Sequence, residues 1–339
     1  MIDYNMSDVQ IVISRTDNIG DVVLSLPLAG FLKRQMPQAR IFFIGKSYTR
    51  PVIESSQYID EFLDRDKILQ EPALLSQLKA DAIIHVFPDK DIAKVGKNAG
   101  ISVRVGTSHR AFHWLYCNKL INLGRKNSDL HEAQLNFKLL HPLGIDYVPE
   151  LADIPALYGM NPKQVSLPNE IESKLAARKF NLILHPKSKG SAREWPMENY
   201  LALAKQLSPE NYQVFITGTE AEGALVKQQQ PEIVTLPHVY DATGKLSLDQ
   251  LLTFISQVDG LVACSTGPLH IAAALGKYVL GIYPPIRPMH PGRWAPLGIK
   301  AEVLVVDKVC EDCRKSQNCH CIRSFSAETV LARISHWTK

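Results

Sequence analysis

The stretch VQIVISRTDNIGDVVLSLP, residues 9–27, begins as an apolar run and continues through a polar turn into a helical pattern. The run VQIVIS (9–14) predicts a buried β-strand, and the residues after the turn predict a helix. Units of this kind open many phosphate-binding folds. This turn, however, carries two acids, Asp17 and Asp21, where an anionic cofactor would otherwise sit.

The same alternation of strand and helix signals extends through most of the chain. Further strands are predicted at 39–45, 80–88, 101–106, 180–186, 212–218, 260–265 and 278–284, with helices between them. This pattern predicts an α/β protein built from two doubly wound, Rossmann-like parallel sheets. A proline-rich stretch at 149–168 is typical of a linker, and ligands of such sheets bind at the carboxyl ends of the strands.

Length and composition agree with two globular domains. The chain has 339 residues, of which 45% are hydrophobic and 21% charged. We place the domains at 1–155 and 156–325, followed by a C-terminal helix at 326–339. No apolar run approaches the roughly 20 residues that span a bilayer, and the N-terminus shows no secretory pattern. We therefore expect a soluble, cytoplasmic protein.

Basic residues are concentrated in one segment of the first domain. The formal net charge is only +4, yet residues 90–126 hold eight basic residues and a single acid, Asp91. Its tightest part, RVGTSHRAFHW (104–114), suits an anionic partner. A nucleic-acid-binding module is an alternative class, but the mild net charge and the lack of aromatic residues interleaved with basic ones argue against it.

The second domain carries the residues that suit a nucleotide diphosphate. Neither half contains G-x-G-x-x-G after a strand or a P-loop, which disfavours dehydrogenases and P-loop ATPases. In CSTGPLHIAAALG (264–276), Thr266 and Gly267 precede a helix that Pro268 opens, so backbone N–H groups and the helix dipole favour an anion there. His270 lies one turn further on. The alternative is an ordinary turn with a histidine in the core.

Two more loops follow predicted strands of this domain. HPKSKGSAREWP (185–196) is polar and basic, and its Lys187, Ser188 and Arg193 suit a leaving diphosphate. TGTEAEG (217–223) offers Thr219, Glu220 and Glu222, and a carboxylate there suits ribose hydroxyls.

Four cysteines crowd into residues 310–321 with the spacing C-x2-C-x5-C-x-C. They are Cys310, Cys313, Cys319 and Cys321. In a cytoplasmic chain this density favours a structural metal knuckle, holding zinc or iron, over a disulfide staple. Reduced thiols or redox disulfides are the alternative.

Four blocks of the chain resemble glycosyltransferase family 9, the ADP-heptose:lipopolysaccharide heptosyltransferases. They are ISRTDNIGDVVLSLPLAGFLK, LHPKSKGSAREWP, GTEAEGA and CSTGPLHIAAALG, in the family's order. The resemblance implies a GT-B fold, with the two domains facing each other across a cleft and the C-terminal helix packing back across them. It also implies an inverting transfer from a nucleotide sugar.

The resemblance further implies roles for individual residues. Asp21 matches the family's general base, Arg193 its diphosphate-binding residue, and Glu222 or Glu220 its ribose-contacting acid. Leu246 falls in the adenine pocket. The donor-loop positions are Ser265, Thr266, Gly267 and His270, and Ser265 stands where characterised members commonly carry Asp.

The function expected from the sequence is transfer of a sugar, heptose from ADP-heptose, onto a lipopolysaccharide core or related glycan. No cofactor is expected for catalysis, which would be independent of metal. Arg104 and Arg110 are the candidate ligands of an anionic glycolipid or glycan acceptor, and peripheral contact with the inner membrane is a further expectation. The alternatives are a transferase that uses another nucleotide sugar and a GT-B-like sugar-nucleotide epimerase, which would act on the donor alone.

Overall fold

The computed structural model describes residues 9–125, 128–188, 190, 192–287, 289–310, 312 and 318–337. The chain divides into two compact units, Met1–Pro162 and Lys163–Lys339. In the described residues each unit is built around one six-stranded sheet, and all strand pairs in both sheets are parallel. The predicted α/β class with two doubly wound sheets is confirmed.

The elements of the first unit follow in chain order. They are β1 (Gln10–Ser14), α1 (Ile19–Val23), α2 (Leu26–Gln35), β2 (Arg40–Gly45), α3 (Arg50–Glu54), β3 (Glu61–Asp64), α4 (Arg65–Gln70), α5 (Ala73–Gln77), β4 (Ala82–His85), α6 (Lys90–Asn98), β5 (Val103–Thr107), α7 (Ala111–Tyr116), β6 (Lys119–Ile121) and α8 (Glu132–Phe137), with 3₁₀ turns at Ser47–Thr49, Lys138–Leu143 and Leu151–Leu157.

The first sheet has the strand order β3-β2-β1-β4-β5-β6. Strand β1 lies at its centre, where Ile13 pairs with Phe43 on one side and Ile84 on the other. All three side chains are fully buried, as expected for a parallel sheet covered on both faces. The order in which the strands are added reverses between β1 and β4: β2 and β3 lie on one side of β1, and β4 to β6 lie on the other. Ligands of such folds bind at the carboxyl ends of these two central strands.

The second unit begins at Lys163. Its elements are α9 (Asn169–Glu172), β7 (Phe180–His185), α10 (Met197–Gln206), β8 (Tyr212–Ile216), α11 (Glu220–Gln229), β9 (Val239–Asp241), α12 (Leu248–Gln257), β10 (Gly260–Cys264), α13 (Gly267–Ala274), β11 (Tyr278–Ile282), α14 (Pro291–Trp294), β12 (Ala301–Leu304), α15 (His320–Arg323) and α16 (Ala327–Ile334), with a 3₁₀ turn at Pro231–Thr235.

The second sheet repeats the topology of the first. Its order is β12-β11-β10-β7-β8-β9, which is the same winding when each sheet is numbered from its own first strand. The equivalent reversal lies between β7 and β10. The two loops that the sequence predicts for the diphosphate follow these two strands, so the topology brings them to one edge of the sheet.

The C-terminal helix belongs to the core of the second unit. Val330 and Ile334 of α16 are fully buried in the core that also contains residues of α10. The Trp337 ring stacks on Tyr278, with ring centroids 5.5 Å apart. Among the described residues, no helix combines the length and apolar character that crossing a membrane requires.

Candidate active site

A buried arginine organises the turn after β1. Arg15 is only 3% exposed, and its guanidinium donates to Asp17 at 2.8 Å, to Asp21 at 2.6 Å and to Glu132 at 3.4 Å. Although burial opposes the charge, the three carboxylates hold the pKa of Arg15 above its ordinary value. Arg15 is therefore a fixed cation that positions Asp21.

The Asp21 carboxylate has the electrostatics of a base that works near neutral pH. Its pKa is raised to about 6, mainly by burial; the Arg15 guanidinium opposes this increase, and the carboxylates of Asp17 and Glu132 add to it. Asp21 lies in the first turn of α1, where the helix dipole stabilises a negative charge, so an acid at this position can have a purely structural role. Here its carboxylate accepts from the side chains of Arg15 and, at 3.5 Å, Asn18.

Glu132 is a part of this cluster that the sequence did not reveal. It is 1% exposed at the start of α8 and is also bound by Arg125 at 3.1 Å. A glutamate buried this deeply needs cationic partners, and Arg15 and Arg125 supply them. Because Arg15 lies 117 residues away in sequence, no local pattern links the pair.

A basic cavity of about 520 Å³ lies beside Asp17, at the edge where β1 and β4 end. Its lining includes two acids, Asp17 and Asp89. It also includes three cations, Lys46, Arg65 and Lys90, which follow the carboxyl ends of β2, β3 and β4. A basic residue after each of these strands is the sequence signal that could have predicted this cavity. It was missed because β3 was not among the predicted strands. The cavity suits an anionic ligand next to the Asp21 turn.

Two Asp-x-Asp pairs follow strands here, at 64–66 and 89–91, and both are engaged within the protein. Asp64 and Asp89 cap α4 and α6 by accepting from backbone N–H groups of the first turn. The Arg65 guanidinium binds Asp89 at 2.6 Å and lies 2.8 Å from Asp66. An arginine thus provides the cation between these acids.

The two predicted acceptor arginines occupy different places. Arg110 lines a second cavity, of about 560 Å³, at the carboxyl ends of β5 and β6, together with His109, Asn122 and Arg125. The Arg104 guanidinium instead donates to the carbonyls of Ile101 and Tyr116, so its donors hold α7 beside β5. Arg110 thus lines a cavity of the first unit, whereas the described contacts of Arg104 are structural.

In the second unit, the loops after β7 and β10 are tied together. The backbone N–H of Trp195 donates to Sγ of Cys264 at 3.3 Å. Trp195 lies two residues after Arg193, and Cys264 directly precedes Ser265. The Trp195 indole N–H donates to the carbonyl of Phe325 at 2.9 Å. Arg193 is itself buried at this junction. The structure therefore brings the predicted Arg193 loop to the predicted donor loop.

Lys187 and Ser188 are held by Glu194, which the sequence did not single out. Lys187 Nζ lies 3.2 Å from the Glu194 carboxylate and donates to Gln229 at 2.7 Å. The backbone N–H and hydroxyl of Ser188 donate to Glu194 at 2.9 and 3.0 Å. The first role of these polar groups is to shape the loop that carries Arg193.

The N-terminus of α13 offers unsatisfied polar groups. Thr266 is the N-cap residue, yet its side chain makes no capping hydrogen bond. It is 6% exposed, and its hydroxyl has no hydrogen-bond partner among the described residues. Gly267 opens the helix, His270 is buried one turn further on, and Ser265 lies within hydrogen-bond reach of the Tyr283 phenol. A buried hydroxyl beside a helix N-terminus suits an anionic ligand.

The two candidate ribose acids differ in their engagement. Glu222 forms a capping box with Thr219, accepting from its N–H at 2.7 Å and from its hydroxyl at 2.9 Å. Glu220 is exposed at the start of α11. Gly244, at φ +72°, passes close to Glu220, and half-buried Leu246 follows two residues later. Glu220 and Leu246 thus lie near one another on adjoining loops.

The described cysteines of the 310–321 segment are buried. Cys310 lies within hydrogen-bond reach of Cys321, and its thiol is 3.4 Å from Asp312. Cys319 is buried near Cys264, and Cys313 lies outside the described residues. Within the part of the chain that the structure describes, no three or more His, Cys, Asp or Glu side chains form a group that could hold a metal.

Comparisons with known proteins identify the family and the fold of this chain. The family profile described as glycosyltransferase family 9 (heptosyltransferase) matches residues 78–321. A relative from Haemophilus influenzae, named no more specifically than as a glycosyltransferase, is 25% identical over 350 residues, covering 96% of each chain. Lipopolysaccharide heptosyltransferase 2 of Escherichia coli K12 is 33% identical over 123 residues, 34% of this chain and 33% of that one. The structure of the E. coli ADP-heptose lipopolysaccharide heptosyltransferase II matches with a TM-score of 0.71 at 19% identity, covering 96% of this chain and 97% of that one. This likeness, with the two parallel sheets, confirms the predicted GT-B class of fold.

Proposed function

Because the chain belongs to glycosyltransferase family 9, the heptosyltransferase family, we propose that it transfers heptose from ADP-heptose to a lipopolysaccharide core or related glycan. Heptosyltransferase II of E. coli supports the choice of sugar and acceptor. It is named a lipopolysaccharide heptosyltransferase, and its solved structure is named for ADP-heptose. The transfer is a single displacement by an acceptor hydroxyl, which inverts the anomeric carbon.

The observation that carries this proposal is the Asp21 carboxylate, with a pKa raised to about 6 and held by Arg15. A general base is most effective when its pKa lies near the working pH. Asp21 takes the proton from the acceptor hydroxyl as that oxygen bonds to the anomeric carbon. Arg15 keeps the carboxylate oriented, and Asp21 then releases the proton to water.

The second unit holds the donor in this proposal. Arg193 and the N-terminus of α13, with the Thr266 hydroxyl, bind the diphosphate and stabilise the charge that develops as it leaves. Since Glu222 is engaged in the capping box, we assign the ribose hydroxyls to Glu220. Leu246 then packs against the base. The supporting observation is the junction between the loops after β7 and β10.

The acceptor binds the first unit through its anionic groups. Lys46 and Lys90 line the cavity beside Asp17, and Arg110 lines the cavity at β5 and β6. Phosphates or carboxylates of a lipopolysaccharide core match these cations in charge. The cavity beside Asp17 adjoins the turn that carries Asp21, so it is the nearer of the two to the proposed base.

Metal enters this proposal only as a structural element. Arg193 and the α13 N-terminus supply the positive charge that a divalent cation supplies in other transferases. We propose that the four cysteines of residues 310–321 bind one zinc or iron ion. The described cysteines do not by themselves form a metal-binding group, and Cys313 lies outside the described residues.

The test is a reaction with defined substrates. Purified protein is incubated with ADP-heptose and a deacylated inner-core acceptor, and the product is analysed by mass spectrometry and by NMR of the anomeric proton. We expect a heptosylated acceptor with anomeric configuration opposite to that of the donor. A retained configuration would contradict the mechanism, and an epimerised donor without acceptor would favour the epimerase. A thermal-shift comparison of ADP with UDP, GDP and dTDP tests the choice of nucleotide.

A further inference from the structure

Helix α7 turns two large apolar side chains, Trp114 and Leu115, outward. His113 is fully buried on its inner side, and Trp114 and Leu115 are each 66% exposed. The buried imidazole Nδ1 lies 3.0 Å from the Thr107 carbonyl oxygen, above Gly106, where any larger residue would collide with the ring. The usual burial pattern of a surface helix is therefore reversed. The other exposed large apolar residues of the described chain are isolated in sequence, unlike this adjacent pair.

A row of lysines lies beside this pair. Lys90, Lys94 and Lys97 are exposed at positions i, i+4 and i+7 of α6, which places them on one face of that helix. Lys97 Nζ donates to the Leu115 carbonyl at 2.9 Å, so the row ends directly against α7. We call these five residues the α6–α7 face.

Among the described residues, acids lie only at the Lys90 end of this face. The sequence contains no Asp or Glu between Asp91 and Asp129. Asp91 itself, and Asp66 on the neighbouring α4, are both bound by Arg65, at 3.6 and 2.8 Å. Because Arg65 also binds Asp89, these three acids outnumber the one guanidinium and offset part of the charge at Lys90. The face therefore combines a protruding Trp–Leu pair with a positive charge that lies mainly at Lys94 and Lys97.

We infer that the α6–α7 face docks on the surface of a membrane rich in anionic lipid. Tryptophan favours the boundary between acyl chains and headgroups, leucine inserts below it, and lysines remain at the level of the phosphates. The Trp114 indole is already oriented, because its N–H donates to the Ser108 carbonyl at 3.0 Å. A nucleic-acid partner would match the lysines and could stack a base on Trp114, but it would leave Leu115 without an apolar partner.

The position of the face gives this docking a purpose, which rests on the proposed function. Lys90 belongs both to the face and to the cavity beside Asp17. Arg110, the N-cap residue of α7, lines the cavity at β5 and β6. A protein docked through this face presents both basic cavities next to the lipid, where the sugars of a lipid-linked acceptor project.

Vesicle flotation of the full-length protein tests the inference. We expect binding to vesicles of phosphatidylglycerol and phosphatidylcholine at low salt, weak binding to phosphatidylcholine alone, and release as salt is raised. Lys94→Gln with Lys97→Gln is expected to lower partitioning about 25-fold, since about 1 kcal/mol per lysine is about five-fold each. Trp114→Ser with Leu115→Ser is expected to lower it on the order of ten-fold. Matched controls on the second unit are Lys163→Gln with Lys174→Gln, and Ile299→Ser with Val309→Ser, all at exposed positions.

The outcomes separate docking from catalysis. If wild type does not bind the anionic vesicles, or if the Trp114 and Leu115 variant binds as well as wild type, the inference is wrong. A concentration-dependent dimer in analytical ultracentrifugation that this variant abolishes would assign the face to a second copy of the chain instead. ADP affinity and transfer to a water-soluble acceptor should be unchanged in the variant. Failure of those reactions in wild type would contradict the proposed function and leave the vesicle result standing.

Discussion

Replacing Glu132 by glutamine is expected to move the pH dependence of sugar transfer to lower pH. Glu132 and Asp21 bind the same guanidinium, and the Glu132 carboxylate is one of the two that raise the pKa of Asp21. Carboxylates that share one guanidinium lie roughly 6–8 Å apart, and at an effective dielectric constant of about 20 their repulsion is about 2 kcal/mol. That energy corresponds to somewhat more than one pKa unit.

The sign follows from the role of a base. Asp21 works only when deprotonated, so kcat/KM falls as the pH drops through its pKa, which is about 6 in the wild type. Glu132→Gln removes a negative charge and leaves Arg15 to act more fully on Asp21. Both effects lower the pKa of Asp21, and we expect the acid limb of the profile near pH 5, about one unit lower.

The assay is kcat/KM against pH with a water-soluble acceptor. Glu150→Gln is the matched control, since it makes the same chemical change at an exposed position of the first unit. Its profile should coincide with that of the wild type. An acid limb that stays in place in Glu132→Gln, or moves to higher pH, would refute the coupling between Glu132 and Asp21.

Three further predictions concern the second unit, the cysteines and the core of the first. Arg193→Ala should weaken ADP binding by about ten-fold or more in calorimetry, because it removes a charge-assisted bond to the diphosphate; Arg178→Ala, at an exposed position, should not. The four cysteines of 310–321 should hold close to one equivalent of zinc or iron by elemental analysis, and chelation by EDTA should leave transfer intact; four titratable thiols without metal would contradict the site. Burial lowers the pKa of His85 to about 3. Between about pH 6.5 and pH 3, His85 is therefore neutral in the folded protein but protonated in the unfolded chain, where its pKa is about 6.5. The contribution of His85 to the free energy of unfolding should therefore fall as the pH drops from about 6.5 to about 3, by up to about 1.4 kcal/mol per pH unit, and chemical denaturation should show that His85→Leu lacks this contribution relative to the wild type.

The central strands were predictable because burial on both faces gives an unbroken apolar run. The run IVI at 11–13 is such a case, and its side chains are fully buried. The edge strands were not predictable. Strand β3, EFLD at Glu61–Asp64, is short and half polar, and it pairs on one side only, with β2. Its periodicity is therefore too weak to distinguish it from a loop.

The candidate site divides in the same way. Candidate residues on turns that follow central strands, such as Asp21 and Arg193, could be proposed from the sequence because topology places those turns at one edge of a sheet. Glu132 was missed because its importance comes from a contact with Arg15 across 117 residues. Glu194 lies within the predicted loop, but only the folded loop shows that its carboxylate binds Lys187 and Ser188. Long-range pairing of charges is a property of the packed chain.

The assignment of Asp21 as the general base is tested most directly by Asp21→Asn. The asparagine keeps the size of the side chain but cannot take the acceptor proton. We expect the rate of transfer at saturating donor to fall by a factor on the order of 10² or more, as for loss of a general base. ADP affinity measured by calorimetry on the same sample should equal that of the wild type, which shows that the second unit is intact. Turnover of the Asp21→Asn protein at the wild-type rate would contradict the account.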